Sequence, residues 1–254
     1  MADSTTTLRG PVLAVDIGAT FTKSCAVAED GQLLGDVTRV LTPFPCWPST
    51  LIEMVSRVIN ESGLSRAAVG FPGDMVEGRV VEPGNLSRAG GITTPIDPDI
   101  ERAWTNFDLE GGLQSRCGAL VKVVNDATLA AYGYADGHGR ELVLTLGTGL
   151  GISLVVDGEW RKIRDVGAAR YRDVGTYDEV FGEPSRAADM GTWRVRLQDA
   201  ISGFVREFSA DLVHVGGGNA RYVRAHDVAE VGCDVVFNDN EGTLRGAARL
   251  FATR

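Results

Sequence analysis

The feature that most constrains the fold of this chain is one pattern that occurs twice. In each half, an apolar strand ends in a polar turn that contains glycine, and a second strand then turns back through Asp-Gly. The first copy has DIGAT at 16–20 and Asp30-Gly31, and the second has LGTGLG at 146–151 and Asp157-Gly158. Apolar runs separated by Asp-Gly turns are typical of β-hairpins. The pattern predicts two similar sheets, one in each half.

Between these hairpins, apolar residues recur at the spacing of a helix. Leu51, Val55 and Val58 recur on one face of a predicted helix over 49–62, which Pro48 and Ser49 start and Gly63 ends. A strand (AAVGFPG), a glycine- and proline-rich stretch through Ile100 that suits an active-site loop, a short helix closed by Gly118, a strand (LVKVVN) and a helix (DATLAAYGYAD) follow in that order. The alternation predicts an α/β fold.

Composition limits the class of protein. The 254 residues, 44% of them hydrophobic, suffice for two domains of about a hundred residues each. A formal net charge of -9 leaves no basic stripe for nucleic acid, so we expect no nucleic-acid partner. No apolar run approaches the roughly 20 residues of a membrane span, and the start lacks a signal-peptide pattern, which predicts a cytoplasmic protein without a membrane partner.

The two glycine turns carry the first functional prediction. Facing one another, they would cradle a phosphate chain with backbone N–H groups, because glycine permits close approach of the backbone. Beyond Asp16 stand Gly18, Thr20 and Lys23, a set suited to a hydrated Mg²⁺ and to phosphate charge. The alternatives are an ordinary turn for LGTGLG and a solvated strand lysine for Lys23.

Two further motifs lie near the end of the chain. LVHVGGGNA at 212–220 follows an apolar strand, and its glycines could let a base or ribose approach; the alternative is a tight strand-to-helix turn. NEGTLRGAARLF at 240–251 predicts a helix whose small residues Gly242, Gly246, Ala247 and Ala248 allow close packing against a second helix.

The chemical centre is predicted at VVNDAT, 123–128. A carboxylate at the start of a helix in a cleft can accept a proton from a hydroxyl that attacks a phosphoryl group, which makes Asp126 the candidate general base. The alternative is that Asp126 caps the helix, since Asp and Asn are preferred at that position. Asn125 can hydrogen-bond neighbouring hydroxyls.

Taken in order, DIGAT, NDATLAAYG, LGTGLG, VGGG and EGTLRGAARL resemble the two phosphate loops, the adenosine loop and the two connecting helices of the actin-like ATPase superfamily. The details resemble the ROK family of bacterial sugar kinases, and over 11–250 the chain is similar to actinobacterial polyphosphate glucokinases. The resemblance implies two ribonuclease-H-like domains with a cleft between them: a small domain of 11–122 plus 241–254, and a large domain of 123–240.

The resemblance also implies roles for residues. Asp126 would be the base, and Asn85, Asn125 and Gly73 would line the sugar pocket. Gly147, Thr148 and Gly149 would place the phosphates, Asp16 would orient Mg²⁺ through water, and Gly216, Gly217 and Gly218 would border adenosine. ATP or polyphosphate would be the donor, and the family implies a homodimer.

One segment departs from the family pattern. ROK kinases usually carry Glu-x-Gly-His, whose Glu and His bind sugar hydroxyls, whereas this chain has RDVGAARYRDVG, with Asp165 for the Glu and Ala168 for the His. Asp173 is a second register for the acid. The missing His, and four scattered cysteines without a CxxC pair, argue against zinc.

The loss of the His predicts weaker glucose binding or another polyol acceptor such as a cyclitol. The nearby basic residues could instead meet an anionic substrate or polyphosphate, or simply be solvated: Arg161, Lys162, Arg164, Arg170 and Arg172.

The sequence therefore predicts a kinase that acts on a hydroxyl of a sugar or polyol. A noncatalytic sugar-binding or regulatory relative is the alternative, although residues 1–10 are too short for the helix-turn-helix of ROK repressors. An acyl or acetyl kinase of the same superfamily ranks last because of the Asn125-Asp126 pair.

Overall fold

A computed structural model of the chain describes residues 10–91, 93–161, 163 and 166–252. The first half contains, in chain order, β1 (Val12–Ile17), β2 (Phe21–Val27), β3 (Thr38–Leu41), α1 (Pro48–Ser62), β4 (Arg66–Phe71), β5 (Asp74–Val76), β6 (Arg79–Glu82), α2 (Pro98–Trp104), α3 (Leu109–Cys117) and β7 (Leu120–Asn125). Five of these strands form a sheet in the order β3-β2-β1-β4-β7. The pairs among β1, β2 and β3 are antiparallel, whereas β1, β4 and β7 run parallel.

The second half repeats this topology. It contains α4 (Asp126–Tyr134), β8 (Arg140–Leu146), β9 (Leu150–Val156), β10 (Glu159–Arg161), β11 (Arg170–Tyr171), β12 (Gly175–Thr176), α5 (Tyr177–Phe181), α6 (Glu183–Ala188), α7 (Met190–Phe208), β13 (Leu212–Gly216), β14 (Asp234–Phe237) and α8 (Gly242–Ala252). Its sheet has the order β10-β9-β8-β13-β14. As in the first sheet, the pairs among β10, β9 and β8 are antiparallel, whereas β8, β13 and β14 run parallel. The prediction of two similar sheets is confirmed.

Local sequence explains the helix ends. α1 begins with Pro48, whose fixed φ suits a first turn, and ends at Gly63, which adopts a left-handed φ of 67°. Its buried Leu51, Val55 and Ile59 pack on the first sheet in one hydrophobic core. In the second half, α7 covers the sheet with Trp193 and other apolar side chains in a separate core. Within the described ranges, the structure contains no helix with the length and hydropathy of a membrane span.

The stretch between 73 and 100 is more ordered than the loop that its glycines and prolines predicted. It holds the β5–β6 hairpin, a 3-10 turn at Gly84–Ser87 and α2. Val80, Leu86 and Ile100 are buried in the first core, and the Asp97 side chain caps α2 by accepting from the N–H groups of residues 99 and 100. Buried anchors spaced along the stretch hold it against the core, while Asp74, Met75 and Val76 of β5 remain open to a ligand.

The last helix returns to the first half of the chain and crosses α4. Leu244 and Ala247 of α8 are buried with Val12 and Ala14 of β1, so the C-terminal helix covers the first sheet. A Cβ on Gly246 would lie 2.1 Å from the Leu129 carbonyl oxygen of α4. The prediction that small residues of this helix permit close packing is confirmed.

Candidate active site

The two glycine turns open onto a single cleft of about 870 Å³ lined by residues of both sheets. Of the residues predicted for the site, this cleft is lined by Asp16, Gly18, Lys23, Asn85, Asn125, Asp126, Gly147, Thr148, Gly149, Gly217 and Gly218. Thr20, Gly73 and Gly216 do not line the cleft, and Asp165 lies outside the described residues. Residues more than a hundred positions apart are thus brought together around one space.

The first turn places a carboxylate and an ammonium side by side. Asp16 near the end of β1 is paired in register with Lys23 of β2, and Lys23 Nζ lies 3.4 Å from Asp16 Oδ2. Lys23 Nζ also donates to Asn240 Oδ1 at 3.2 Å, from the residues just before α8. Only 19% of the Lys23 side chain is exposed, so Lys23 is not a solvated strand lysine. Asn240 was not predicted, because its position in the cleft depends on where α8 returns.

Thr20 serves this turn through its backbone. Its carbonyl accepts from the N–H of Thr42, while the Thr42 hydroxyl donates to the Gly18 carbonyl at 2.7 Å. A Cβ on Gly18 would lie 2.9 Å from the Phe21 carbonyl oxygen, which the Gly18 N–H approaches to 3.1 Å. The turn therefore needs glycine at 18, and its shape is held from the loop after β3.

The second turn rests on a carboxylate that sequence reasoning missed. Asp178, in the first turn of α5, accepts from the Leu150 N–H at 2.9 Å and lines the cleft. A Cβ on Gly149 would lie 2.1 Å from Asp178 Oδ1, so only glycine permits this contact. Thr176 caps α5 in a capping box with Glu179, and this local signature could have located the helix start but not its direction toward the cleft.

The third glycine cluster is joined to the second turn. The Asn219 N–H donates to the Leu146 carbonyl and its Nδ2 donates to the Gly147 carbonyl, both at 2.8 Å. Arg186 Nε donates to Asn219 Oδ1 at 3.1 Å, which fixes the orientation of this buried amide. Gly217 has φ 85°, and a Cβ there would lie 2.5 Å from the Leu146 carbonyl oxygen. The two loops therefore form one unit.

Gly216 allows close packing against Tyr134. A Cβ on Gly216 would lie 2.5 Å from the ring of Tyr134, the last residue of α4. The Tyr134 hydroxyl lies 3.2 Å from Thr243 Oγ1 and 3.2 Å from the Asp239 carbonyl oxygen. Burial raises the pKa of Tyr134, so this hydroxyl stays protonated and bonds the start of α8. Gly216 thus makes room for the aromatic ring that joins both connecting helices.

The helix that begins at Asp126 is capped by its neighbour. Asn125 Oδ1 accepts from the N–H groups of Ala127 and Thr128 at 2.9 and 3.2 Å, and Asn125 Nδ2 donates to the Gly73 carbonyl at 3.0 Å. The alternative that Asp126 is the cap is therefore wrong, since Asn125 fills that position. Asp126 is the first helical residue and lines the cleft, and its Oδ1 accepts from the Ala127 N–H at 2.7 Å.

The pocket wall beside Asp126 depends on two close contacts. A Cβ on Gly73 would lie 2.2 Å from the Glu82 carbonyl oxygen, so the turn after β4 needs glycine to hold its carbonyl against Asn125. Asn85 Oδ1 accepts from Arg88 Nε at 2.8 Å. Arg88 thereby fixes the amide of Asn85, a cleft residue.

The divergent segment approaches the cleft through Gly167. The Asp178 N–H donates to the Gly167 carbonyl at 3.0 Å, and a Cβ on Gly167 would lie 2.9 Å from both carboxylate oxygens of Asp178. Ala168 is exposed. Asp173, the second register for the acid, is exposed and does not line the cleft. Asp178 is therefore a described carboxylate that contacts Gly167, the residue before the position of the expected His.

The basic residues of this segment are turned toward other partners where they are described. Arg161 pairs with Glu159 at 2.8 Å, and Arg172 pairs with Asp199 at 2.6 Å. Arg170 is exposed, and none of these three arginines lines the cleft. Lys162 and Arg164 lie outside the described residues. The alternative that these basic residues are solvated fits the three described arginines.

One buried ionic group lies outside the cleft. Glu141 of β8 and His214 of β13 are almost wholly buried and lie 2.8 Å apart, and with Asp136 they form the one candidate metal-binding group found among the described residues. Glu141 already accepts from the N–H groups of residues 136, 137 and 138. Burial alone would raise the pKa of Glu141, but these bonds and His214 outweigh it, so the pKa is lowered. The group anchors the loop between α4 and β8.

Comparison with known proteins adds independent findings. Residues 12–164 match the family model described as the ROK family. The chain is 24% identical over 234 residues to the polyphosphate glucokinase of Mycobacterium leprae, covering 85% of this chain and 66% of that protein. It spans less than two thirds of that relative and about half of the glucokinases from Streptomyces coelicolor and Streptomyces lividans.

Two solved structures share the fold over nearly the whole chain. The inorganic polyphosphate/ATP-glucomannokinase of Arthrobacter sp. strain KM has a TM-score of 0.79 and 30% identity, covering 96% of this chain and 99% of that one. The glucokinase of Streptomyces griseus, solved with glucose and AMPPNP, has a TM-score of 0.74 and 18% identity, covering 95% and 99%.

Proposed function

Because this chain belongs to the ROK family and has the actin-like ATPase fold, we propose that it transfers the terminal phosphoryl group of ATP or polyphosphate to a hydroxyl of a sugar or sugar-like polyol. One observation carries the proposal: the Asp126 carboxylate lies in the same cleft as both glycine turns. The similar proteins, which are glucokinases and a glucomannokinase, support this reaction class.

Asp126 is the general base of the proposed reaction. Its carboxylate accepts the proton of the acceptor hydroxyl as that oxygen attacks the terminal phosphorus and the bond to the donor's bridging oxygen breaks. The cap made by Asn125 fixes the helix start, so the carboxylate is held in place before substrate arrives. Asn85, Asn125 and Gly73 hold the acceptor side, with Asp165 as a further acceptor ligand.

The donor side is built from the glycine turns. The N–H groups around Gly147, Thr148 and Gly149, together with the Gly18 turn, bind donor phosphates, and Lys23 supplies positive charge. The oxygen donors of Asp16 and of the neighbouring threonines suit Mg²⁺, which prefers oxygen ligands and keeps several waters. Bound there beside Asp16, Mg²⁺ would neutralise charge on the transferred phosphoryl group.

Domain organisation follows the two sheets. Residues 11–122 with 241–254 form the small domain and 123–240 the large one, since α8 covers the first sheet and the cleft opens between the sheets. Closure of the domains on the acceptor would exclude water and limit futile hydrolysis. The protein is a cytoplasmic homodimer in this proposal; its four free cysteines suit a reducing compartment.

The acceptor differs from glucose or is bound less tightly than in related kinases. Ala168 supplies no hydrogen bond where the family has His, so one hydroxyl of a glucose-like acceptor would lose a partner. The Asp178 carboxylate beside Gly167 can accept a hydrogen bond from another hydroxyl of the sugar or polyol. A cyclitol or a sugar with a different hydroxyl pattern is therefore included among the candidate acceptors.

The test is a panel of sugars and cyclitols with ATP and with polyphosphate, comparing wild type with Asp126→Asn. We expect kcat for the best acceptor to fall by at least about 10²-fold while acceptor binding, measured by calorimetry, persists. Asp36→Asn is the matched control, because Asp36 is exposed and does not line the cleft. Binding of sugars without phosphorylation of any of them would replace the kinase by a noncatalytic sugar-binding protein.

A further inference from the structure

The cleft extends from Asp126 along one side of α4. Thr128 and Tyr132 of this helix line the cleft as Asp126 does, and because they are four residues apart they lie on the same helix face. Tyr132 stands six residues beyond Asp126, which is about 9 Å along the helix axis. The space beside α4 is therefore longer than one sugar ring.

The second sheet supplies the wall that faces this side of α4. Ser153 of β9 lines the cleft, and because alternate residues of a strand share a face, it lies on the same face as Gly151 and Val155. Trp160 of β10 also lines the cleft and pairs in register with Val155. Trp160 packs against the hydrophobic group that contains Val155 and Ala131 of α4. The wall therefore runs from the second glycine turn to the edge strand β10.

One polar group of this wall has no partner. Trp160 Nε1 is buried from solvent and has no hydrogen bond within the part of the chain that the structure describes. The indole N–H groups of the two core tryptophans, by contrast, both donate to carbonyls: Trp104 to Cys46 at 2.7 Å and Trp193 to Phe181 at 2.9 Å. Because buried indole N–H groups are ordinarily hydrogen-bonded, the Trp160 N–H in the cleft wall indicates the position of a ligand oxygen.

The other groups in the cleft limit the class of ligand. Thr128 and Ser153 add two buried hydroxyl groups to the Trp160 ring. The two lysines among the described lining residues already have partners, since Lys23 contacts Asp16 and Lys122 donates to the Leu250 carbonyl at 2.8 Å. An anionic group therefore gains little here. Hydroxyls beside an aromatic ring suit a neutral saccharide, which has polar edges and an apolar C–H face.

We propose that the acceptor is a glycoside of at least two units: its terminal ring presents the reacting hydroxyl to Asp126, and its second unit lies along α4 against Trp160. The Trp160 N–H donates to an oxygen of the second unit, which makes Trp160 a specificity-determining residue. This inference rests on the proposed kinase function and narrows its acceptor class. Contacts with the second unit would offset the hydroxyl partner that the terminal ring loses at Ala168.

Equilibrium binding without a donor tests this. The probes are glucose and galactose, together with disaccharides that carry one of these hexoses as the non-reducing unit: maltose, cellobiose, lactose and melibiose. We expect at least one disaccharide to bind about tenfold more tightly than its own hexose, as measured by calorimetry. Trp160→Phe keeps an aromatic ring but removes the N–H, so it should weaken that disaccharide by about threefold or more and leave the hexose unaffected.

Trp47→Phe is the matched control, because Trp47 is 38% exposed and does not line the cleft. This variant should bind every sugar as wild type does. Binding of the disaccharide should change the tryptophan fluorescence of wild type and of Trp47→Phe more than that of Trp160→Phe. Thermal melting checks that each variant is folded.

Three results would overturn the inference: no disaccharide binds more tightly than its hexose, Trp160→Phe weakens both sugars equally or neither, or hexose and disaccharide bind at the same time instead of competing. In activity assays, kcat/KM should be higher for the disaccharide than for its hexose. Phosphorylation of hexoses without any gain for disaccharides would refute the extended acceptor and leave the kinase standing. Disaccharide binding that depends on Trp160, without transfer to any sugar, would instead remove the kinase and keep the binding site.

Discussion

The crossing of α4 and α8 provides a quantitative prediction, because a close contact at Gly246 joins two backbones. A Cβ added at Gly246 would lie 2.1 Å from the Leu129 carbonyl oxygen and 2.9 Å from the Gly133 nitrogen. A carbon and a carbonyl oxygen need about 3.3 Å, so the helices would have to separate by about 1 Å. Neither neighbouring atom belongs to a side chain that could rotate away.

Two effects of Gly246→Ala oppose each other. Alanine is favoured over glycine inside a helix by up to about 1 kcal/mol, whereas overpacking of a well-filled contact costs about 1 to 3 kcal/mol and occasionally more. The clash is with backbone on both sides, so the cost falls at the upper end of that range and exceeds the gain. We expect a net loss of about 2 kcal/mol in the free energy of unfolding.

Urea denaturation and thermal melting measure this loss. For a chain of this size, about 2 kcal/mol corresponds to a decrease in Tm of roughly 4 to 8 °C. Gly203→Ala is the matched control: Gly203 lies inside α7, and a Cβ there meets nothing within 4 Å. That variant should gain up to about 1 kcal/mol from helix propensity alone. If Gly246→Ala were as stabilising as Gly203→Ala, this would contradict the close contact between α4 and α8.

Substitutions of two carboxylates, Glu141 and Asp178, test their roles. Glu141→Gln should lower the free energy of unfolding at neutral pH by about 3 kcal/mol, because the buried carboxylate beside His214 also accepts from the N–H groups of residues 136 and 137, and an amide replaces one of its two acceptor oxygens by a donor. The pKa of Glu141 in the folded protein lies below its ordinary value of 4.5. Wild type should therefore lose its stability advantage over the variant as the pH falls below that value, and urea denaturation from pH 7 to 3 measures the difference. A difference independent of pH would contradict a stabilising role for the charged Glu141 carboxylate. Asp178→Ala removes the acceptor of the Leu150 N–H and should lower kcat/KM by about tenfold or more, with a stability loss near 1 kcal/mol. Asp178→Asn keeps one acceptor oxygen and should retain more activity than Asp178→Ala; equal activity in the two variants would refute this role.

Much of the site could be predicted because its parts have local signatures. Glycine turns after apolar strands located both turns that line the cleft, and the Asn-Asp pair at a helix start located the candidate base. The same local pattern could not decide which of Asn125 and Asp126 caps α4, since both residue types are favoured caps. The structure decided it, because Asn125 also bonds the Gly73 carbonyl from a turn about fifty residues earlier.

Other parts of the site left no local signature. Asp178, Asn219 and Asn240 act through contacts with Leu150, Gly147 and Lys23, which lie in other elements of the chain. Gly216 was predicted to border adenosine because it belongs to a run of glycines. Its position in the structure is set by the ring of Tyr134, and only the next two glycines line the cleft.

The sequence by itself determined part of the elements of this protein: the repeated hairpins, the start and end of α1, and the order of the glycine turns. Hydrophobic period, turn chemistry and capping act over a few residues and can be read directly from the chain. The tertiary structure alone decided which side chains share the cleft and which glycines serve packing. Those outcomes depend on how the two sheets and the two crossing helices pack against each other. The spacing of apolar residues indicates which face of a helix or strand is buried, but it does not indicate which residues pack against that face.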